Sequence, residues 1–294
     1  MQSKPTTSQG VQSSLRRGAL QIRNWRHEWG TRTLIMGIVN VTPDSFSGDG
    51  VLEPEKAVAQ ALAMLDQGAD LIDLGAQSTR PGHESITQEE ELKRLMPVLS
   101  LLRAKSDCII SVDTTDAGVL RAAVAAGADI LNSIWGLTEE LLGAVAELQI
   151  PVVLMHNKER AVYDGDVATE VVEVLARQAE KAMSAGIERQ QIVLDPGIGF
   201  GKTAEHNLLV LNALDRLVAL GFPTLLGCSR KSFIGKLTGK PATERIFGTA
   251  ATSALAVAQG VDMVRVHDVS ETKEVIDVSD AIVRGVRPSG WSYE

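Results

Sequence analysis

The chain has 294 residues, 44% hydrophobic and 22% charged, with a formal net charge of −8. This is globular composition with room for one large core or two domains, and the acidic balance excludes general nucleic-acid binding, which needs a basic face. Two cysteines, Cys108 and Cys228, exclude a disulfide framework, and no apolar run reaches the roughly 18 residues of a membrane span, so a reducing cytoplasm is the expected setting.

Residues 1–18, "MQSKPTTSQGVQSSLRRG", are rich in Ser, Gln and Thr and lack the apolar centre of a signal peptide. They are predicted to be a disordered tail, with one domain over residues 19–290. "ALQIRN" and "WRHEWG" alternate polar and apolar residues as a short hairpin does. Eight apolar runs follow: "TLIMGIVN", "DLIDLG", "CIISVD", "DILNSI", "PVVLMH", "QIVLDP", "PTLLGCS" and "DMVRVH". Amphipathic stretches such as "EKAVAQALAMLDQG" and "EVVEVLARQAEKAMSAG" separate them, several closing on glycine as helices do. Strand and helix repeated eight times over roughly 260 residues predict a (β/α)8 barrel. An open doubly wound sheet competes, but no dinucleotide fingerprint accompanies the repeats.

The sixth run continues into "VLDPGIGFGKT", which resembles a phosphate-binding loop at first glance. Such a loop needs its first glycine five residues before Gly201, where this chain has Pro196. Proline has no N–H to offer a phosphate, so the segment is read as a glycine turn behind a strand-end carboxylate, Asp195.

In a (β/α)8 barrel the site lies at the C-terminal strand ends. Those ends carry Asn40, Asp73, Asp113, Asn132, His156, Asp195, the segment Ser229–Lys231, and Arg265 with His267. One polar strand end is ordinary; eight together predict a convergent site. Asp113, Asn132 and Asp195 are acceptor-rich and suit a flat nitrogen heterocycle. Lys231, Arg265, His267 and Arg80 suit a phosphate-like anion.

The segments "IMGIVNVTPDSFSGDG" (35–50), "LIDLGAQSTRPG" (71–82), "ISVDT" (110–114), "LDPGIGFGKT" (194–203), "SRKSFIG" (229–235) and "VRVHDV" (264–269) resemble the dihydropteroate synthase family, in matching order along the chain. The resemblance implies a (β/α)8 enzyme of folate synthesis and a sulfonamide target. It would join 4-aminobenzoate to 6-hydroxymethyl-7,8-dihydropterin diphosphate and release pyrophosphate with Mg²⁺ assistance. Carried over by residue, it implies pterin contacts from Asp113, Asn132, Asp195, Lys231 and Arg265. Pyrophosphate would be held by Asn40, Arg80, Arg265 and His267, with Asn40 also ligating Mg²⁺. The aminobenzoate pocket would take Phe46, Thr79, Arg80, Pro81, Lys231 and Ser232, and Asp44 would join Phe46 on a closing loop. Catalysis would centre on Lys231, Arg265, His267 and Asp113, in a homodimer with small-molecule substrates and no nucleic-acid or membrane partner. Lys202 would be a cation at the site's edge.

Ser133 and Trp135 in "LNSIWG", the Gly-Asp order in "SFSGDG" and the charged loop "NKERAVYDGD" depart from the family pattern. Two other functions share part of these features. A corrinoid-dependent methyltransferase acting on methyltetrahydrofolate would need neither "STRPG" nor "SRKSF". A non-catalytic pterin-binding paralogue would not need the cationic half.

Overall fold

The computed structural model describes residues 17–42, 53–77, 86–288 and 290–292. The expected tail up to residue 16, and Asp44, Phe46, Thr79, Arg80 and Pro81, lie outside the described residues. Arg17 and Gly18, which the sequence assigns to the tail, are tied to the body. Arg17 pairs with Asp262 and donates to the Gly260 carbonyl at 3.1 Å, and the Trp29 amide donates to the Gly18 carbonyl at 3.1 Å.

Strands β1 (Ala19–Ile22) and β2 (Trp25–Glu28) form the expected antiparallel hairpin, with Ala19 opposite Glu28. Eight parallel strands then alternate with helices: β3 (Leu34–Asn40), α1 (Pro54–Asp66), β4 (Leu71–Gly75), α2 (Gln88–Lys105), β5 (Ile109–Asp113), α3 (Ala117–Ala125), β6 (Ile130–Ser133), α4 (Glu139–Leu148) and β7 (Val152–Met155). There follow α5 (Val167–Ser184), β8 (Ile192–Asp195), α6 (Ala204–Asn212), α7 (Leu214–Val218), β9 (Leu225–Leu226), α8 (Ser232–Thr238), α9 (Ile246–Ala258), β10 (Met263–Val266) and α10 (Val269–Val283). The ladder runs β8-β7-β6-β5-β4-β3-β10-β9. One parallel bridge, Leu194 to Thr224, closes the ring, with the Leu194 amide donating to the Pro223 carbonyl at 2.9 Å. The structure is therefore the expected (β/α)8 barrel.

Helix starts follow from local chemistry. Asp116 accepts from the Val119 amide at 2.8 Å, Thr138 from Leu141 at 3.2 Å and Thr203 from His206 at 3.1 Å, each satisfying an amide that the first turn leaves unpaired.

Alternation along the strands decides what fills the barrel. One set of side chains, including Ile35, Val39, Ile72, Leu74, Ile110 and Val112, packs outward under the helices. The other set points inward. Its lower members, Leu34, Met36, Leu71, Ile109, Ile130, Val153, Val193, Leu225 and Met263, cluster with Leu20, Ile22 and Trp29. The hairpin thus plugs the N-terminal end of the barrel, anchored by Trp29 Nε1 donating to the Gln190 carbonyl at 3.1 Å.

Candidate active site

Two residues above that apolar layer the same inward set turns polar. Leu71 is followed by Asp73, Ile109 by Ser111 and Asp113, Ile130 by Asn132, Val193 by Asp195, and Met263 by Arg265. Polar groups in a barrel interior must find partners or a ligand. These do both: the deeper ones bond to each other and the upper ones line the C-terminal mouth.

Asp73 is the centre of the deeper set and is fully buried. Its Oδ1 accepts the Ser111 hydroxyl at 2.6 Å. Its Oδ2 accepts Asn132 Nδ2 at 3.0 Å, Arg265 Nε at 2.7 Å and Arg265 Nη2 at 2.6 Å. Above it, Asp113 Oδ2 lies 3.8 Å from Arg265 Nη2. Burial, with Asp73 next in importance, pushes the Asp113 carboxyl up to about 7. Burial also raises Asp195, whose Oδ1 accepts the Gly197 amide at 2.8 Å.

The loop between β9 and α8 supplies the cations. Lys231 sits at the N-terminus of α8, with its ammonium 4.0 Å from the centre of the Phe200 ring. Burial, and then Arg265, push Lys231 down to about 8. The preceding Arg230 takes φ +57°, the left-handed region that side chains disfavour, and its guanidinium grips Asp268 through two hydrogen bonds of 3.0 and 2.5 Å. Arg245 Nη1 donates to the Arg230 carbonyl at 2.8 Å from beneath. Beyond β10, His267 Nδ1 lies 2.9 Å from the Ser229 hydroxyl. Ser229 and Arg230 therefore tie the Lys231 loop to the His267 end of β10. Ser232 opens α8 and is exposed, and Asn40 is half-buried at the end of β3.

Glycines stand beside these acceptors. A Cβ on Gly75 would lie 3.8 Å from both Asn40 Oδ1 and Asp113 Cβ, and one on Gly227 would lie 3.9 Å from Asp195 Oδ2. In the loop after β8, Gly197 has φ +68° and a Cβ there would meet the His156 carbonyl at 1.9 Å, so only glycine fits.

Several expected placements change. At β7 the inward position belongs to Met155, and His156 turns the other way, buried against the loop after β8. Lys202, close enough to Asp195 and Lys231 to feel their charges, is bound to the loop backbone. Its ammonium lies 2.9 Å from His156 Nδ1 and donates to the carbonyls of Gly197 at 3.0 Å and Phe200 at 3.1 Å. Burial pushes Lys202 down to about 7. Tyr163 joins this staple by donating to the Gly201 carbonyl at 2.9 Å, which fastens the charged loop after β7 to the glycine turn. Ser133 is buried and donates to the Gly136 carbonyl at 2.5 Å, and Trp135 is exposed. Nothing in the sequence marks Ser111 or Phe200, and Asp73 shows there only as a polar group near a strand end, its one signal being a carboxylate in the middle of an apolar strand.

Buried acceptors beside a cationic loop, at the mouth of a (β/α)8 barrel, accompany a match to one class of protein: residues 36–267 match the family of pterin binding enzymes. Among curated relatives, the dihydropteroate synthase of Synechocystis is 45% identical over 267 residues, spanning 87% of this chain and 92% of that protein. Among solved structures, Clostridium difficile dihydropteroate synthase determined with pteroic acid has a TM-score of 0.83 at 44% identity, covering 88% of this chain and 99% of the other. The Yersinia pestis enzyme in complex with a sulfonamide drug has a TM-score of 0.87 at 38% identity, covering 92% and 100%. The chain belongs to the dihydropteroate synthase family.

Proposed function

We infer that this chain condenses 6-hydroxymethyl-7,8-dihydropterin diphosphate with 4-aminobenzoate to give 7,8-dihydropteroate and pyrophosphate, in folate synthesis. The observation that carries this reading is the inward polar layer, in which Asp113, Asn132 and Asp195 face a cationic group of Arg265, Lys231 and His267 across one mouth. The three acceptors suit the donor edge of a pterin. The cations suit a diphosphate.

The chemistry needs no protein nucleophile. The bond from the pterin methylene carbon to the diphosphate oxygen breaks, pyrophosphate departs with the electron pair, and the aniline nitrogen attacks the carbon and then loses a proton. Lys231, Arg265 and His267 neutralise the leaving charge, most effectively where water is excluded. Phe200 and the stem of Lys231 wall the mouth between the two halves. Phe46, Thr79, Arg80, Pro81 and Ser232 are assigned to the aminobenzoate side, and Arg80 also to the diphosphate.

Asn40 fits a Mg²⁺ partner: a carboxamide oxygen is a hard donor, and Mg²⁺ commonly takes one or two protein ligands together with waters and substrate phosphates. Among the described residues no group of three or more His, Cys, Asp and Glu could hold a metal by itself, so the ion is expected to arrive with the diphosphate. When bound, it would screen the charge on the phosphate oxygens.

A second copy of the chain is the proposed partner. Helix α9 carries no charged residue and exposes Phe247, Ala251, Leu255 and Ala258 along one stripe, beside the exposed Val278 and Ile282 of α10. Contiguous apolar surface of this kind marks an interface. The unpaired state of Cys108 and Cys228 supports a cytoplasmic setting. Among the described residues no helix is long and apolar enough to cross a membrane.

The test is pyrophosphate release by the purified protein with both substrates and Mg²⁺, alongside complementation of a strain lacking the activity. Release that does not depend on 4-aminobenzoate, or no release at all, would overturn the reading.

A further inference from the structure

Among the described residues of the barrel interior, Asp73 is a charged side chain to which no role has been given above. It has no exposed surface to offer a ligand. A carboxylate so deep must be fully partnered, and its partners come from three other strands: Ser111 on β5, Asn132 on β6 and Arg265 on β10. Two of those three are residues assigned to the pterin.

The geometry has two consequences. A carboxylate only accepts hydrogen bonds, so the Asn132 amide must turn its NH₂ toward Asp73, which leaves its Oδ1 for a ligand. The orientation of Asn132 is thereby fixed as an acceptor. Arg265 Nη2 is contested by two carboxylates, at 2.6 Å from Asp73 and 3.8 Å from Asp113. Asp73 prevails because it also takes Nε, at 2.7 Å. Asp113 is thereby left without a close guanidinium partner and keeps its oxygens for the heterocycle.

We propose that Asp73 is a positioning residue: by anchoring Asn132 and drawing Arg265 away from Asp113, it keeps the pterin pocket acceptor-lined. The proposal rests on the functional reading above. Titration supports it. Asp113 is faced by Asp73 from β4, Arg265 from β10, Glu91 from α2 and Lys231 from the loop after β9. Burial, Asp73 and Glu91 raise its carboxyl, while Arg265 and Lys231 lower it. Removing the charge of Asp73 frees Arg265 to pair with Asp113, and both changes lower Asp113.

The test compares Asp73→Asn and Ser111→Ala with the wild-type full chain, titrating 6-hydroxymethylpterin and inorganic pyrophosphate separately from pH 5.5 to 9, a window chosen to span the range of about 2 units around a carboxyl raised to about 7. Asparagine keeps the shape and can turn its NH₂ toward Ser111, so the fold is expected to survive. At about pH 8, Asp73→Asn should weaken pterin binding more than about tenfold, while pyrophosphate, still held by Lys231, His267 and Asn40 when Arg265 turns toward Asp113, should lose no more than about threefold. The acid limb of pterin binding should move down by about one pH unit. Ser111→Ala, which removes only the bond to Oδ1, should weaken pterin binding about threefold and leave pyrophosphate unchanged. This second variant carries the comparison if the first does not fold. Equal losses for the two ligands, an unchanged pterin affinity, or an acid limb that stays in place would each overturn the inference. Wild-type binding of both ligands would then leave the functional reading standing; a wild-type chain that binds neither overturns both.

Discussion

Lys231 sets the alkaline side of the reaction. Its ammonium, held down to about 8 by burial and then by Arg265, attracts the diphosphate only while protonated, so kcat/KM should fall as pH rises through about 8. Asp113, held up to about 7, must be ionised to accept from the pterin, so kcat/KM should also fall as pH drops through about 7. The profile is a narrow bell. Lys231→Arg stays charged and should lose the alkaline limb, though with a lower maximum; a wild-type plateau extending past about pH 9.5 would contradict the assignment. Asp195 gives a second residue-scale expectation. The Gly197 amide occupies its Oδ1, so in Asp195→Asn the carbonyl stays with Gly197 and the NH₂ replaces Oδ2, facing the pterin donors. That mismatch should cost about 2–3 kcal/mol, or about 30- to 150-fold in pterin affinity, with pyrophosphate binding almost unchanged in parallel titrations. The acceptor character of Asp113 and Asp195 was legible because each ends an otherwise apolar run, and that of Asn132 because it interrupts one. What Asp73 does was not. Its main partner, Arg265, is 192 residues away along the chain, and sequence alone cannot show which mid-strand carboxylate meets a ligand and which meets another side chain.

At the scale of elements, alternation explains most of what could be read in advance. Apolar runs and glycine stops mark the strands and helices in the sequence, whereas the Thr and Asp caps at their starts show only in the structure. Two elements were less legible. "PTLLGCS" reads as a full strand, yet only Leu225 and Leu226 pair with β10 and Thr224 alone bridges to β8, and the chain then passes through Arg230 in the left-handed region. "PVVLMH" reads as ending on a site histidine, yet one residue of register turns His156 out and Met155 in. The same geometry pulls Lys202 inward, where it joins the loops after β7 and β8. Lys202→Met should leave the carbonyls of Gly197 and Phe200 without their donor, costing about 2–4 kcal/mol in urea unfolding, and should weaken pterin binding by loosening the turn behind Asp195. Unchanged stability together with lower activity would instead place its ammonium on a ligand.

For the whole molecule, the apolar stripe on α9 and α10 makes self-association testable. Phe247, 86% exposed, would stand at the centre of the proposed two-fold contact, so the wild type should sediment as a dimer and Phe247→Glu as a monomer. A wild-type chain that sediments as a monomer would remove the proposal. The ring closure has a consequence for motion. Adjacent strands such as β3 and β4 share five register positions, whereas β8 and β9 meet at the single Leu194–Thr224 bridge. A closed loop of unequal links should breathe at its weakest one, and that link lies between the strand bearing Asp195 and the strand leading to Lys231. The Leu194 amide should therefore exchange with deuterium sooner than the amides along β4. A pterin diphosphate gripped by Asp195 on one side and Lys231 on the other would act as a clasp across the gap. Substrate should slow exchange at Leu194 more than anywhere else in the ladder, so that binding completes the barrel as well as filling it.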